Sequence, residues 1–207
     1  MTPITIALAD DHRVVTTSLT AYLQSFADLN VVGVAPSGEA LLKSIGAWKP
    51  QVLLLDLLMP GGIDGVETAR RMQKVAPDVR IIALTASMDE ARMMAVLRAG
   101  AVGYVRKDAD PEVLLAAIRA VAAGRTFIDP AVATRQESGT PKGVDLTSRE
   151  TDVLRQLAKG LTNRDIAKAL GISDETVKTH VTSVLGKLHV DNRGQAIVYA
   201  LKAGFAE

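Results

Sequence analysis

Along residues 1–128, short apolar runs alternate with longer segments whose apolar residues recur every three or four positions. The runs are ITIALA (4–9), LNVVGVA (29–35), QVLLLD (51–56), VRIIALT (79–85) and AVGYV (101–105). Each is apolar on consecutive residues, the pattern of a parallel strand covered on both faces. The segments between and after them, 12–26, 37–47, 65–75, 88–98 and 110–123, have helix length. In the last, Leu114, Ala117, Ile118 and Val121 form one apolar stripe. Asp110-Pro111 predicts its start, with Asp as N-cap and Pro in the first turn. Strand–helix alternation five times over predicts a doubly wound, flavodoxin-like α/β sandwich of five parallel strands.

The periodicity stops at Asp129. TRQESGTPKG (134–143) is polar, with two Gly and one Pro, so 129–143 is read as a linker between a first domain at 1–128 and a second at 144–207. The second has no strand pattern. Four helices fit it, at 147–159, 163–170, 174–188 and 193–203, which makes it a small all-α domain.

Composition narrows the chemistry. Apolar residues are 48% of the chain and aromatics 3%, so an aliphatic core is expected. There are no cysteines, which excludes disulfides, thiolate metal sites and cysteine nucleophiles and fits a cytoplasmic protein. The N-terminus MTPITIALADD lacks the basic-then-apolar order of a signal peptide, and no run approaches membrane-spanning length. Residues 1–130 hold 13 basic and 14 acidic side chains and residues 131–207 hold 11 and 9, a mild shift from −1 to +2.

Three carboxylates stand just past two strand ends: Asp10 and Asp11 after ITIALA, and Asp56 after QVLLL. In an open parallel sheet, ligands bind beyond the strand C-termini, where strand order reverses. With the order 2-1-3-4-5, strands one and three flank that crevice and the three carboxylates converge. They would repel one another unless a cation neutralised them. Hard oxygen ligands suit Mg2+ or Mn2+, and Mg2+ suits phosphoryl transfer to a carboxylate. Thr85 at the end of strand four offers a hydroxyl, and Lys107 after strand five offers a point positive charge. Singly, each has an ordinary reading: a turn or cap Asp, a strand-end Thr, a solvated Lys, and for Tyr104 simple packing. Their joint register with five strands is what points to a site.

The pattern LADDH, LLLDLLMPGGIDG, ALTA and GYVRKD resembles the receiver domain of two-component response regulators over residues 3–124. The resemblance implies that Asp56 takes a phosphoryl group from the phosphohistidine of a sensor histidine kinase. It implies that Asp11, Asp56 and the Leu58 carbonyl hold Mg2+, with Asp10 assisting through water. Lys107 would contact the phosphoryl group, Thr85 would swing toward it, and Tyr104 would change rotamer. His12 is read as the start of the first helix, with no role.

In LTNRDIAKALGISDETVKTHVTSVLGKLHV (161–190), Thr162 caps one helix, Gly171 permits a tight turn and Ser173 caps the next. That layout is a helix-turn-helix. Val177, Val181, Val184, Leu185 and Leu188 form the buried stripe of the second helix, while Lys178, Thr179, Thr182, Ser183 and Lys187 form a polar face able to reach DNA. LTSRE (146–150), GLTNRDIA (160–167), ISDETVKTHV (172–181) and LGKL (185–188) resemble the LuxR-type domain of the NarL/FixJ family over 144–205. The resemblance implies a third helix in the major groove of double-stranded DNA, with Lys178, Thr179 and Thr182 facing bases and Thr176, His180 and Lys187 near phosphates. The fourth helix would help pair two copies. Thr182 stands where relatives often carry Lys, and Gly194 where they carry a side chain.

Together these readings predict a DNA-binding transcriptional response regulator, not a turnover enzyme, that forms a homodimer on phosphorylation. A haloacid-dehalogenase-type phosphatase would need a second Asp where Leu58 stands. The other alternative is a phosphorylation-independent dimer that uses its receiver only for assembly.

Overall fold

The computed structural model describes residues 2–87, 89–132 and 144–205. It divides into two compact units, Met1–Ala123 and Gly124–Glu207.

The first unit alternates β1 (Ile4–Ala9), α1 (Arg13–Gln24), β2 (Leu29–Ala35), α2 (Gly38–Trp48), β3 (Val52–Asp56), α3 (Gly65–Val75), β4 (Arg80–Thr85), α4 (Glu90–Arg98), β5 (Gly103–Arg106) and α5 (Pro111–Ala122). All four ladders are parallel and the strand order is β2-β1-β3-β4-β5, as the apolar runs predict. β3 is buried at all five positions, because a parallel strand with helices on both faces has no wet side. Polar residues set the helix starts. Ser37, Asp64 and Asp89 each accept a backbone N–H from three residues on. Asp110 stands at the N-cap of α5, but its side chain makes no capping bond; Pro111 at the first position needs none of its own. Strand five runs Gly103–Arg106 rather than 101–105, since Ala101 donates its N–H back to Val96 in the turn after α4.

The second unit holds α6 (Ser148–Ala158), α7 (Asn163–Leu170), α8 (Asp174–Leu188) and α9 (Arg193–Lys202). Thr147 and Thr162 close full capping boxes with Glu150 and Asp165. Gly171 ends α7 at φ 65°, the left-handed conformation that glycine adopts freely. Asn192 caps α9 through the Gln195 N–H, so Gly194, its second residue, lies in a well-capped first turn.

Residues 124–132 also belong to this second unit. They hold a two-residue strand, β6 (Phe127–Ile128), which the apolar pattern was too short to signal, and a turn of 3-10 helix, Pro130–Val132. Ile128 and Val132 are buried, and Thr126 donates its N–H to the Gly160 carbonyl. The polar stretch 134–143 lies outside the described residues.

Candidate functional site

The sheet register delivers the acid cluster. β1 pairs with β3 through Ala9 and Leu55, so Asp10 and Asp56 each stand one step beyond that pair. β4 pairs with β5 through Thr85 and Arg106, and the Lys107 N–H continues to the Thr85 carbonyl at 2.7 Å. Four strand ends thus bring Asp10, Asp11, Asp56, Thr85 and Lys107 to one edge. Ligand atoms of Asp10, Asp11, His12 and Asp56 all lie within 4.8 Å of one another.

Lys107 binds the cluster together. Its Nζ lies 2.7 Å from Asp10 Oδ2 and 2.9 Å from Asp56 Oδ2. Asp10 and Asp56 are almost fully buried, at 4% and 1% exposure. Burial pushes the Asp56 carboxyl above its ordinary value, against the pull of Lys107 and of the Leu58 N–H at 3.2 Å. Burial lowers the Lys107 ammonium, and the two carboxylates outweigh it and leave the group raised. Asp10 Oδ2, Asp11 Oδ1 and Asp56 Oδ2 are shielded from solvent, the first and last facing the Lys107 ammonium and Asp11 Oδ1 facing His12. Three such oxygens in one pocket fit a hard divalent cation, which needs oxygen ligands and compensates their charge.

His12, given no role from sequence, touches the cluster. Its Nδ1 lies 3.2 Å from Asp10 Oδ1 and 3.0 Å from Asp11 Oδ1, and its N–H donates to Asp10 Oδ1. With Asp11, Leu58, Met59 and Arg92 it lines an open cleft beside the acids. Two more residues were missed. Gly65, which opens α3, has no room for a side chain: a Cβ there would meet the Asp56 carbonyl oxygen at 2.3 Å and Leu57 Cα at 2.6 Å. Ser87 ties Thr85 to Tyr104. Its carbonyl accepts the Thr85 hydroxyl at 2.7 Å and, more weakly, the Tyr104 hydroxyl at 3.4 Å, and its N–H returns to Thr85 Oγ1. Tyr104 is buried at 1% exposure.

In the second unit, α8 presents Lys178, Thr179 and Thr182 to solvent. Lys178 pairs with Glu175 at 3.1 Å, and the Thr179 and Thr182 hydroxyls donate to carbonyls one turn back. Thr176 bonds to the capping Ser173 hydroxyl, and His180 is half-buried. Val177, Val184 and Leu188 fill the core, while Val181 and Leu185 are only half-buried. Lys187 does not join the exposed set. Its Nζ lies 2.7 Å from Glu150 Oε2, and Ser183 donates to Glu150 Oε1 at 2.5 Å. Lys187 and Ser183, with the Thr147 backbone N–H, hold the buried Glu150 carboxyl down at about 2. Glu150 thus joins its capping box with Thr147 to two residues of α8.

Comparison with known proteins identifies the family. The family model of the response regulator receiver domain matches residues 6–119, and that of the bacterial regulatory proteins of the luxR family matches 144–200. The chain is 40% identical over 205 residues to the uncharacterized transcriptional regulatory protein YhcZ of Bacillus subtilis, covering 95% of each. It is 33% identical over 203 residues to the response regulator VraR of Staphylococcus aureus, covering 96% of this chain and 97% of that one. Among solved structures it is similar to the response regulator RcsB in complex with DNA, at 30% identity and a TM-score of 0.62 over 97% of this chain and 98% of that one. It is also similar to ChrA, a response regulator of a heme-sensing two-component system, at 35% identity and a TM-score of 0.55 over 99% and 100%. The chain belongs to the two-component response regulators that join a receiver domain to a LuxR-type helix-turn-helix domain.

Proposed function

We propose that this protein is a phosphorylation-switched, cytoplasmic transcription factor whose receiver is modified on Asp56. The observation that carries the reading is the convergence of Asp10, Asp11, Asp56 and Lys107 in one pocket at the strand ends. An Asp56 carboxylate oxygen attacks the phosphorus of a kinase phosphohistidine. The P–N bond breaks, the imidazole leaves with a proton, and an acyl phosphate forms on Asp56. Asp10, Asp11 and Asp56, with the Leu58 carbonyl, would hold Mg2+, and Mn2+ suits the same ligands. When bound, the ion screens the anionic donor from the anionic nucleophile. Lys107, already within 2.9 Å of Asp56, exchanges a carboxylate partner for a phosphoryl oxygen. With Leu58 in place of a second Asp, turnover of free phosphate esters is not part of this activity.

Phosphorylation adds about 1.5 to 2 negative charges to a buried pocket. Thr85 then turns from the Ser87 carbonyl toward the phosphoryl group, and Tyr104, which shares that carbonyl, changes rotamer. In the second unit, α8 enters the major groove with Lys178, Thr179 and Thr182 toward bases and Thr176 and His180 near phosphates. Two copies, paired after phosphorylation, read half-sites about one DNA turn apart. The domain assignment is a receiver at 1–128, a linker at 129–143 and a DNA-binding domain at 144–207, although residues 124–132 cluster with the second unit.

The test is intact mass after incubation with acetyl phosphate and Mg2+, with Asp56→Asn alongside. One phosphoryl adduct on wild type, absent from the variant and absent without Mg2+, is expected. Failure of both acetyl phosphate and a beryllofluoride mimic to react would overturn the switch. DNA binding by Asp56→Asn equal to that of the phosphorylated wild type would return the receiver to a purely assembling role.

A further inference from the structure

The LTSRE segment at the start of α6 is not used by the reading of α8 as the DNA-contacting helix, yet two adjacent residues of it grip both helices of the motif. Arg149 Nη2 donates to the carbonyl of Leu170, the last residue of α7, at 2.8 Å. That carbonyl belongs to the helix end, where intrahelical partners run out. Glu150 grips α8 at two points one turn apart, Ser183 at 2.5 Å and Lys187 at 2.7 Å. Its second oxygen also accepts the Thr147 N–H and hydroxyl, at 2.8 and 2.9 Å, so the carboxylate is fixed to the α6 terminus before it reaches α8.

Position around α8 shows what the grip controls. A helix turns by roughly 100° per residue. Taking Lys178 as zero, Lys178, Thr179 and Thr182 centre near about 50°, and the buried Val177, Val184 and Leu188 centre near about 260°. Ser183 and Lys187 fall near about 160°, a third face belonging to neither. Lys187 lies roughly 180° from Lys178 and cannot meet the DNA backbone on the side that Lys178 faces. An apolar stripe resists separation of helices but resists rolling poorly, because it is non-directional. Two directed bonds to one buried carboxylate fix the roll, and the roll sets where Lys178, Thr179 and Thr182 point.

We propose that Arg149 and Glu150 are positioning residues for DNA reading, clamping α7 and α8 from the first turn of α6, and that Lys187 serves this clamp instead of a phosphate contact. The inference rests on the reading of α8 as the DNA-contacting helix, and the test separates the two. The full chain is titrated with a duplex that the wild type selects from a random pool, and with a random duplex, across a range of salt. Lys178→Ala weakens binding and lowers the salt slope by about one per bound subunit. Lys187→Gln and Glu150→Gln each weaken binding to the selected duplex about tenfold, shrink its advantage over the random duplex, and leave the salt slope unchanged. The two together lose no more than either alone, since they break one contact. Ser183→Ala, which keeps the charge pair and removes one bond, gives a smaller loss of the same kind and stands in if Glu150→Gln fails to fold. A drop of about one in salt slope for Lys187→Gln would overturn the clamp and restore the phosphate contact. So would wild-type selectivity in both Ser183→Ala and a folded Glu150→Gln. If Lys178→Ala changes nothing, the DNA-reading assignment of α8 itself is wrong.

Discussion

The acid pocket and the outer face of α8 put charge to work under opposite conditions. In the pocket, groups from four strand ends meet in a buried space, and burial dominates: it raises the Asp56 carboxyl even with an ammonium 2.9 Å away. On α8, Lys178 meets Glu175 in open solvent three residues off, a contact made by the helix alone. The pocket is therefore as good as the whole sheet, and the reading face is as good as the placement of one helix. Charge removal should be severe in the first and mild in the second.

Lys107→Met is the largest test of that contrast. It leaves Asp10 and Asp56 buried without their shared cation, which should cost about 3 kcal/mol of unfolding free energy at neutral pH. Urea unfolding followed by Trp48, the single tryptophan and a receiver residue, reports it directly. The pH dependence has a definite sign. A carboxyl raised above its unfolded value costs stability once ionised in the folded state, and that cost is relieved as pH falls through the raised folded value. The Lys107→Met deficit should shrink on mild acidification and on addition of Mg2+. Lys178→Met should leave the unfolding midpoint of its own domain where it is. Equal losses from both would dissolve the contrast.

Glycine offers a second comparison, without charge. Gly65→Ala drives a methyl toward the Asp56 carbonyl oxygen and Leu57 Cα, both backbone atoms that cannot step aside. The loop after β3 must shift, and a displacement near 1 Å at a reacting group costs on the order of tenfold or more in rate. Uptake of a phosphoryl group from acetyl phosphate, followed by intact mass, should slow by at least about tenfold. Gly186→Ala lies in the last turn of α8 with nothing within 4 Å of the new Cβ. There the change should stabilise the helix by about 0.5–1 kcal/mol, with DNA binding intact. Tolerance at Gly65 would mean that the α3 terminus does not hold Asp56 in place.

What could be seen in the sequence follows the same division. Consecutive apolar residues revealed five parallel strands, and their ends named Asp10, Asp11, Asp56, Thr85 and Lys107, because position along a strand decides which edge a residue reaches. The helices of the second unit were equally open, since capping and periodicity are local. Contacts that depend on where separate elements meet were hidden. For His12 the partners, Asp10 and Asp11, were adjacent in sequence, and only the direction of its ring was hidden. Nothing near Gly65 shows the carbonyl it must pass. Residues 124–132 read as the end of one domain and the start of a linker, yet Ile128 and Val132 are buried within the second unit. Lys187 shared a polar character with Lys178, and only the fold shows that Glu150, 37 residues earlier, holds it.

Glu150 gives the sharpest test of that last point. Its bonds to Lys187, Ser183 and Thr147 hold the carboxyl at about 2, below its ordinary 4.5. A depressed carboxyl contributes stability that is complete above the unfolded value and is lost as pH falls through the folded one. The second domain should therefore keep this contribution unchanged down to about pH 4.5 and lose it progressively toward about 2. This is opposite in direction to Asp56, so one acid titration of the full chain moves the two domains apart. The Glu150 side-chain carboxyl, followed by carbon NMR, should still be ionised near about pH 3, where an ordinary glutamate is mostly protonated. In Lys187→Gln its midpoint should climb toward 4.5, because the first and strongest of its donors is gone. A wild-type midpoint already near 4.5 would mean that Glu150 stands in water and α8 is held by its apolar stripe alone.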